Sequence, residues 1–315
     1  MALALPSPRS PLKIGTRGSP LALAQARETR TRLMTAFGLP KAAFEIVVIT
    51  TTGDRVLNRP LKEIGGKGLF TREIEADMLS GKIDIAVHSM KDMPVKQPAG
   101  LLLDTYLPRE DVRDAFVAHG LEGLRDLPEG AVIGSSSLRR RAQLIHRRPD
   151  LKLVEFRGNV QTRLKKLDDG LAMATLLAMA GLNRLGMGDI AASAISEDDM
   201  LPAVAQGAIG VERRADDMRT AEMLEAIHDI STGHRLAAER AYLAALDGSC
   251  ETPIAGLAVL DGGSVVLRGE ILRPDGSQSL SDADKAVVED AAEMGRTLAR
   301  RLRARAPNGF FDWIT

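Results

Sequence analysis

The chain has 315 residues, in which 42 Lys and Arg balance 42 Asp and Glu. At roughly 100–150 residues per domain this is room for two or three cores, and a formal net charge of zero argues against nucleic-acid binding through bulk charge. Aromatic residues make up 3%, which leaves no stacking platform for single strands, and the one cysteine excludes an intrachain disulfide.

In chain order, Met1–Leu12 holds three prolines and no apolar core, so it does not read as a secretory signal. Leu12–Thr16 reads as a strand, followed by a helix capped by Ser19-Pro20 and running to Phe37. Phe44–Thr51 is a β-branched run that predicts a buried strand. The Gly65–Gly68 loop precedes a helix over 70–79, and Ile83–His88 is the next strand. After a charged, Pro-containing crossing at 107–113 the pattern restarts: strand Ala131–Gly134, turn Ser135–Ser137, helix Leu138–Arg147, strand Leu151–Phe156, helix Val160–Asp168. Strands alternating with helices imply βαβ units and mostly parallel sheets, hence two α/β domains. The most apolar stretch, Leu171–Leu182, falls short of the ~20 residues that span a bilayer. No membrane contact and a cytoplasmic location are expected. Beyond Gly233 a helix over 234–246, a hairpin of strands 254–260 and 264–272, and a final helix over 281–304 predict a smaller α+β unit.

In open α/β sheets ligands bind beyond the carboxyl ends of strands. Arg17 and Ser19 follow the first strand there, Asp54 the second, and Ser89, Lys91 and Asp92 the third. In the second half Ser135, Ser136, Ser137, Arg139 and Arg140 occupy one such turn, and Arg157 with Asn159 another. Hydroxyls and backbone N–H groups at helix starts, with arginines beside them, suit carboxylate or phosphate. Asp54 and Asp92 are acids among cations, and such acids either pair with an arginine or do chemistry. Each feature also has a plainer reading. The serines serve as helix caps, at least one of Arg139–Arg141 must face away, His88 packs, and a lone Cys is more often buried than reactive. Cys250 differs in lying in a Gly/Ser/Pro loop, where access is easier.

Eight stretches carry a family resemblance: Thr-Arg-Gly-Ser-Pro-Leu-Ala-Leu (16–23), Gly-Gly-Lys-Gly-Leu-Phe (65–70), Ala-Val-His-Ser-Met-Lys-Asp (86–92), Gly-Ser-Ser-Ser-Leu-Arg-Arg (134–140), Arg-Gly-Asn-Val-Gln-Thr-Arg-Leu (157–164), Ala-Gly-Leu-Asn-Arg-Leu-Gly (180–186), Gln-Gly-Ala-Ile-Gly (206–210) and Gly-Ser-Cys-Glu-Thr-Pro-Ile (248–254). Together, in this order, they resemble the porphobilinogen deaminases over residues 14–256. The resemblance implies two α/β domains like type II periplasmic binding proteins plus a smaller α+β domain: 10–107 with 206–226, 112–202, and 230–315. It implies a transferase, hydroxymethylbilane synthase, that joins four porphobilinogen units with release of ammonia. It implies a dipyrromethane cofactor bound covalently through Cys250 and no metal.

By position, Asp92 matches the catalytic carboxylate, and Arg17, Arg157 and Arg163 the arginines that assist catalysis and bind substrate. Ser89, Lys91, Asp92, Ser135, Ser136, Ser137, Arg139, Arg140 and Lys67 match cofactor contacts. Ser19, Arg184, Gln206 and Phe70 match substrate contacts. Met173, Glu63, Ser135 and Glu251-Thr252 depart from the usual pattern without removing a group the chemistry needs. The rival readings are a non-catalytic anion-binding protein, which leaves Asp92 and the loop thiol unexplained, and a nucleic-acid binder using the basic stretch 139–166. The absence of a heptad pattern points to a monomer.

Overall fold

The computed structural model describes residues 3–55, 71–249 and 252–312. Lys67, Phe70 and Cys250 lie outside the described residues, as does the side chain of Asp54. The chain forms two compact units, residues 1–110 with 208–233 and residues 111–207 with 234–315.

The first unit is built on a five-stranded sheet in the order β2-β1-β3-β10-β4. Its strands are β1 (Leu12–Thr16), β2 (Phe44–Val48), β3 (Ile85–Ser89), β4 (Leu101–Tyr106) and β10 (Ile209–Arg214). The first three are parallel, and β10 runs antiparallel between β3 and β4. Both faces are buried at β1, β3 and β10, whereas β2, expected as a buried strand, is largely half-exposed at the sheet edge, and β4 alternates buried and exposed residues at the other edge. On one face Leu12, Ile14, Val87, Ile209 and Val211 pack with Ala26 and Leu33 of helix α1 (Pro20–Phe37). On the other Ile83, Ala86 and Leu101 meet Ile74 and Met78 of α2 (Arg72–Leu79). Ser19 caps α1, its Oγ accepting from the Ala22 N–H at 3.3 Å, and Gly38 ends it at φ +63°. The expected strand over 44–51 stops at Val48, although the Ile49 N–H still donates to the Thr16 carbonyl at 2.9 Å and its side chain packs in the core.

The second unit holds two sheets. The larger has the order β7-β6-β8-β5-β9, with β5 (Asp114–Ala118), β6 (Val132–Gly134), β7 (Lys152–Val154), β8 (Ala174–Ala178) and β9 (Ser193–Ala194). Here β6, β7 and β8 are parallel and β5 is antiparallel to both neighbours. The plan therefore repeats that of the first sheet. Helices α3 (Leu138–Arg147), α4 (Val160–Asp168) and α5 (Met179–Arg184) follow β6, β7 and β8. Phe116, Ile133, Leu144 and Leu176 fill one face, and Val117, Phe156, Leu177 and Leu182 the other.

The smaller sheet is an antiparallel meander of β11 (Ile254–Asp261), β12 (Ser264–Leu272) and β13 (Ser279–Val287). The expected helix over 281–304 is corrected here: 279–287 is an edge strand, and the helix begins at Ala291 and ends at Arg305. The burial of this strand alternates, but its half-buried face carries Asp282, Asp284 and Ala286 rather than large apolar residues, so no apolar alternation marks it as a strand. The helix over 230–245 begins earlier than expected, Asp229 accepting from the Thr232 N–H at 2.6 Å. Gly276, at φ +71°, lies where a Cβ would sit 2.8 Å from the backbone N of His146. The loop before β13 can press onto α3 only as glycine, and its carbonyl bonds His146 Nδ1 at 2.9 Å. Among the described residues no helix is long and apolar enough to cross a membrane.

Candidate active site

In the first unit a pocket opens at the carboxyl ends of β1 and β3. It is lined by Arg17, Ser19, Gln25, Thr71, His88, Ser89 and Asp92 among others. Three segments meet here. The β1–α1 turn brings Arg17 and Ser19. A residue such as Ser19, whose hydroxyl accepts as a cap, keeps its proton for a ligand. Helix α1 sends Gln25, 3% exposed, whose amide donates to Ser89 Oγ at 2.8 Å and accepts from it at 3.1 Å. The turn after β3, a single 3-10 turn over Met90–Asp92, presents Asp92 to solvent at the pocket mouth. An exposed carboxylate beside a guanidinium can bind an ammonium or face developing positive charge, and it can exchange protons with water.

In the second unit the turn after β6 leads into α3 with Ser137 as its cap, its Oγ accepting from the Arg140 N–H at 3.4 Å. The Ser135 hydroxyl accepts from the Ser137 N–H at 3.4 Å. Arg139 and Arg140 are each 4% exposed and converge on one acid, Asp114, at 2.8 and 2.7 Å. Arg139 also donates to the Leu201 carbonyl at 2.8 Å and Arg140 to that of Leu176 at 2.7 Å. Gln206 joins the cluster, its amide donating to Asp114 at 2.9 Å and to the Val112 carbonyl at 2.7 Å. Burial alone would raise the Asp114 carboxyl, but the two guanidiniums and Gln206 hold it well below the usual carboxylate range. Arg141 is the arginine that turns away, toward the Ser135 carbonyl and Glu155.

Two buried guanidiniums share the Asp114 carboxylate, with the Glu270 carboxylate as a further acid acting on Arg139. Arg139 Nε and Ser136 Oγ are buried with no hydrogen-bond partner among the described residues. Unsatisfied donors of this kind are costly without a ligand. The residues therefore fit a group that carries carboxylates.

The remaining candidates are placed as follows. Arg157 and Arg163 flank the β7–α4 turn, where Asn159 caps α4 and Arg163 Nε donates to the Gly158 carbonyl at 2.9 Å. Arg184, on α5, donates to the Gly207 carbonyl at 3.0 Å. Lys91 lies beside Asp92 on the turn after β3. Gln25, Asp114, Glu212 and Glu239 escaped sequence reasoning. Glu239 is fully buried and accepts from the backbone N–H groups of Ala205 and Ala258. Each is a single polar residue in an otherwise ordinary helix or strand, and only the register of distant segments shows what it meets.

Two family models match the chain, the porphobilinogen deaminase dipyrromethane cofactor binding domain over residues 12–222 and the porphobilinogen deaminase C-terminal domain over 234–304. The chain belongs to the porphobilinogen deaminase family. A porphobilinogen deaminase of Paracoccus denitrificans is 68% identical over 309 residues, 98% of this chain and 99% of that protein. Among solved structures, a periplasmic VFT2 domain of Bordetella pertussis BvgS aligns at TM-score 0.39 and 17% identity over 69% of this chain and 86% of its own. A periplasmic substrate-binding protein from Coxiella burnetii aligns at 0.41 and 14% over 70% and 93%. The porphobilinogen deaminase activity is that of hydroxymethylbilane synthase, a transferase that condenses porphobilinogen units in tetrapyrrole biosynthesis on a dipyrromethane cofactor.

Proposed function

We propose that the pocket of the first unit is where porphobilinogen reacts, with Asp92 as the catalytic carboxylate. The observation that supports this is the convergence of Arg17, Ser19, Ser89 and Asp92 on one pocket from separate segments. Porphobilinogen carries an acetate, a propionate and an aminomethyl group. Arg17 and Ser19 are suited to its carboxylates, and Asp92 to the ammonium. As the C–N bond breaks and ammonia leaves, positive charge spreads to the pyrrole nitrogen, where a fixed carboxylate lowers the barrier. The same carboxylate can hold the proton that the pyrrole carbon loses when the new C–C bond has formed.

Dipyrromethane, when bound, supplies the terminal pyrrole carbon on which the chain grows. Cys250 is proposed as its attachment point. Ser135, Ser136, Ser137, Arg139 and Arg140 are proposed to hold its carboxylates, a choice that the unpaired Ser136 Oγ and Arg139 Nε support. By the family resemblance Ser89, Lys91 and Asp92 are also proposed as cofactor contacts. Arg157, Arg163 and Arg184 are proposed for the carboxylates of the growing chain; Gln206, matched to a substrate contact, commits both amide donors to Val112 and Asp114 and would act by holding Asp114 in place. Lys67 is proposed as a cofactor contact and Phe70 as a substrate contact from the family resemblance alone. Residues 230–315 are proposed as a third domain. A monomer acting in the cytoplasm, without nucleic-acid or membrane partners, completes the reading.

Asp92→Asn tests it. Turnover of porphobilinogen should fall by about 10²–10⁴-fold, the usual worth of a general acid–base group. Intact mass should still show the two-pyrrole addition, with Cys250→Ala as the unloaded reference. Turnover near the parental rate would remove Asp92 from its role.

A further inference from the structure

We propose that Glu212 is a positioning residue for porphobilinogen turnover, holding the imidazole of His88, and with it the Ser89–Asp92 turn, in the wall of the pocket; this rests on the reading of Asp92 above. Glu212 lies on β10, antiparallel to β3, with Glu212 opposite Ala86 and Gly210 opposite His88. Side chains two residues apart share a sheet face, so Glu212 and His88 are diagonal neighbours. His88 Nε2 and Glu212 Oε2 are 3.0 Å apart, with side chains 5% and 0% exposed. His88 lines the pocket, while Glu212 stands behind it.

Stability alone does not account for this acid. A buried hydrogen-bonded pair can often be replaced by apolar groups of the same shape at little loss. Glu212 moreover leaves its other oxygen, Oε1, buried with no hydrogen-bond partner among the described residues. A second acid, Glu75 of α2, stands close. Burial lifts its carboxyl above the ordinary range, with the Thr71 hydroxyl opposing, Glu212 adding to the rise, and His88 and Arg72 opposing. The cost of this acidic interior is understandable if it fixes something the reaction needs. His88 immediately precedes Ser89, and Asp92 ends the turn that follows. The same return strand steadies that turn again just before β10, where the Met90 N–H donates to the Ala208 carbonyl at 3.0 Å. Gln25 holds Ser89 from the other side.

The experiment compares Glu212→Gln, His88→Gln and His88→Ala with the parent, as turnover per folded, cofactor-loaded molecule. Loading is read from intact mass and folding from circular dichroism, so loss of cofactor or of stability does not count as an effect. Glu212→Gln is expected to lower kcat tenfold or more while KM for porphobilinogen stays within threefold. His88→Gln keeps an N–H donor near the position of Nε2 and should retain several-fold more kcat than His88→Ala. A parental kcat for loaded Glu212→Gln overturns the proposal, as does equal kcat for the two His88 variants. If Glu212→Gln fails to fold, the His88 pair decides alone. Asp92→Asn is run alongside: if it turns over normally, the reading of the pocket has failed. If it is inactive while the Glu212 and His88 variants behave as the parent, only the positioning role has failed.

Discussion

Asp114 sets one negative charge between two buried guanidiniums, and the consequence can be measured. Asp114→Asn removes the carboxylate that buried Arg139 and Arg140 share, so the second unit should lose about 3–5 kcal/mol of stability, the usual cost of breaking a buried pair. Urea unfolding followed by circular dichroism would show it. The pH dependence follows the same physics. The Asp114 carboxyl is depressed in the folded state, so its contribution is fully present above the unfolded carboxylate value of about 3.9. It is lost as pH falls below that toward the folded value. Stability between roughly pH 5 and pH 2 should therefore fall more steeply in the parent than in Asp114→Asn; parallel slopes would contradict the assignment. Sequence reading found the other half of this cluster, because Ser135–Ser137 and Arg139-Arg140 stand at a strand–helix junction where donors gather. It did not find Asp114, which directly follows the charged crossing at 107–113 and has no pattern of its own to single it out. Burial, rather than residue type, makes it central.

At the scale of elements, the smaller sheet of the second unit meets α3 through the loop before β13. Gly276 combines a left-handed backbone with a Cβ position 2.8 Å from the His146 N and 3.0 Å from the Ala142 carbonyl, both main-chain atoms that have little room to yield. Gly276→Ala should cost about 1–3 kcal/mol, of which 1–2 is the left-handed penalty itself. It should also disturb the His146 ring, visible as a shifted imidazole resonance against an otherwise parental spectrum. A variant as stable as the parent would mean that the loop is not seated as described. The elements themselves were mostly legible. The β-branched run over 44–51 and the Ser19-Pro20 helix start located early elements. Strand β13 was not legible, since its half-buried face carries Asp282 and Asp284 in place of apolar residues. Its acids instead answer Arg301 on the last helix, at 3.0 and 2.6 Å, a pairing that no local pattern announces.

At the scale of the whole molecule, the first sheet lacks a central member until the chain has returned. Strand β10 supplies the pairing between β3 and β4, and the Leu107 N–H donates to the Ile209 carbonyl at 3.1 Å. A fragment of residues 1–110 should therefore remain unfolded by NMR dispersion. The same fragment joined through a short Gly/Ser linker to 208–233 should fold, because the two joined ends already lie side by side. A folded 1–110 fragment would show that β3 and β4 do not depend on β10. The resemblance of motifs such as Gln-Gly-Ala-Ile-Gly anticipated that the chain comes back. Which strands it separates is decided by hydrogen-bond register, which motifs do not carry. During synthesis β3 emerges about 120 residues ahead of its partner. At the usual 5–20 residues per second, the half of the sheet that bears Asp92 waits roughly 6–25 s on the ribosome with an open edge. The larger sheet of the second unit, complete by Ala194, can close before the sheet that began first, so the order of folding inverts the order of translation.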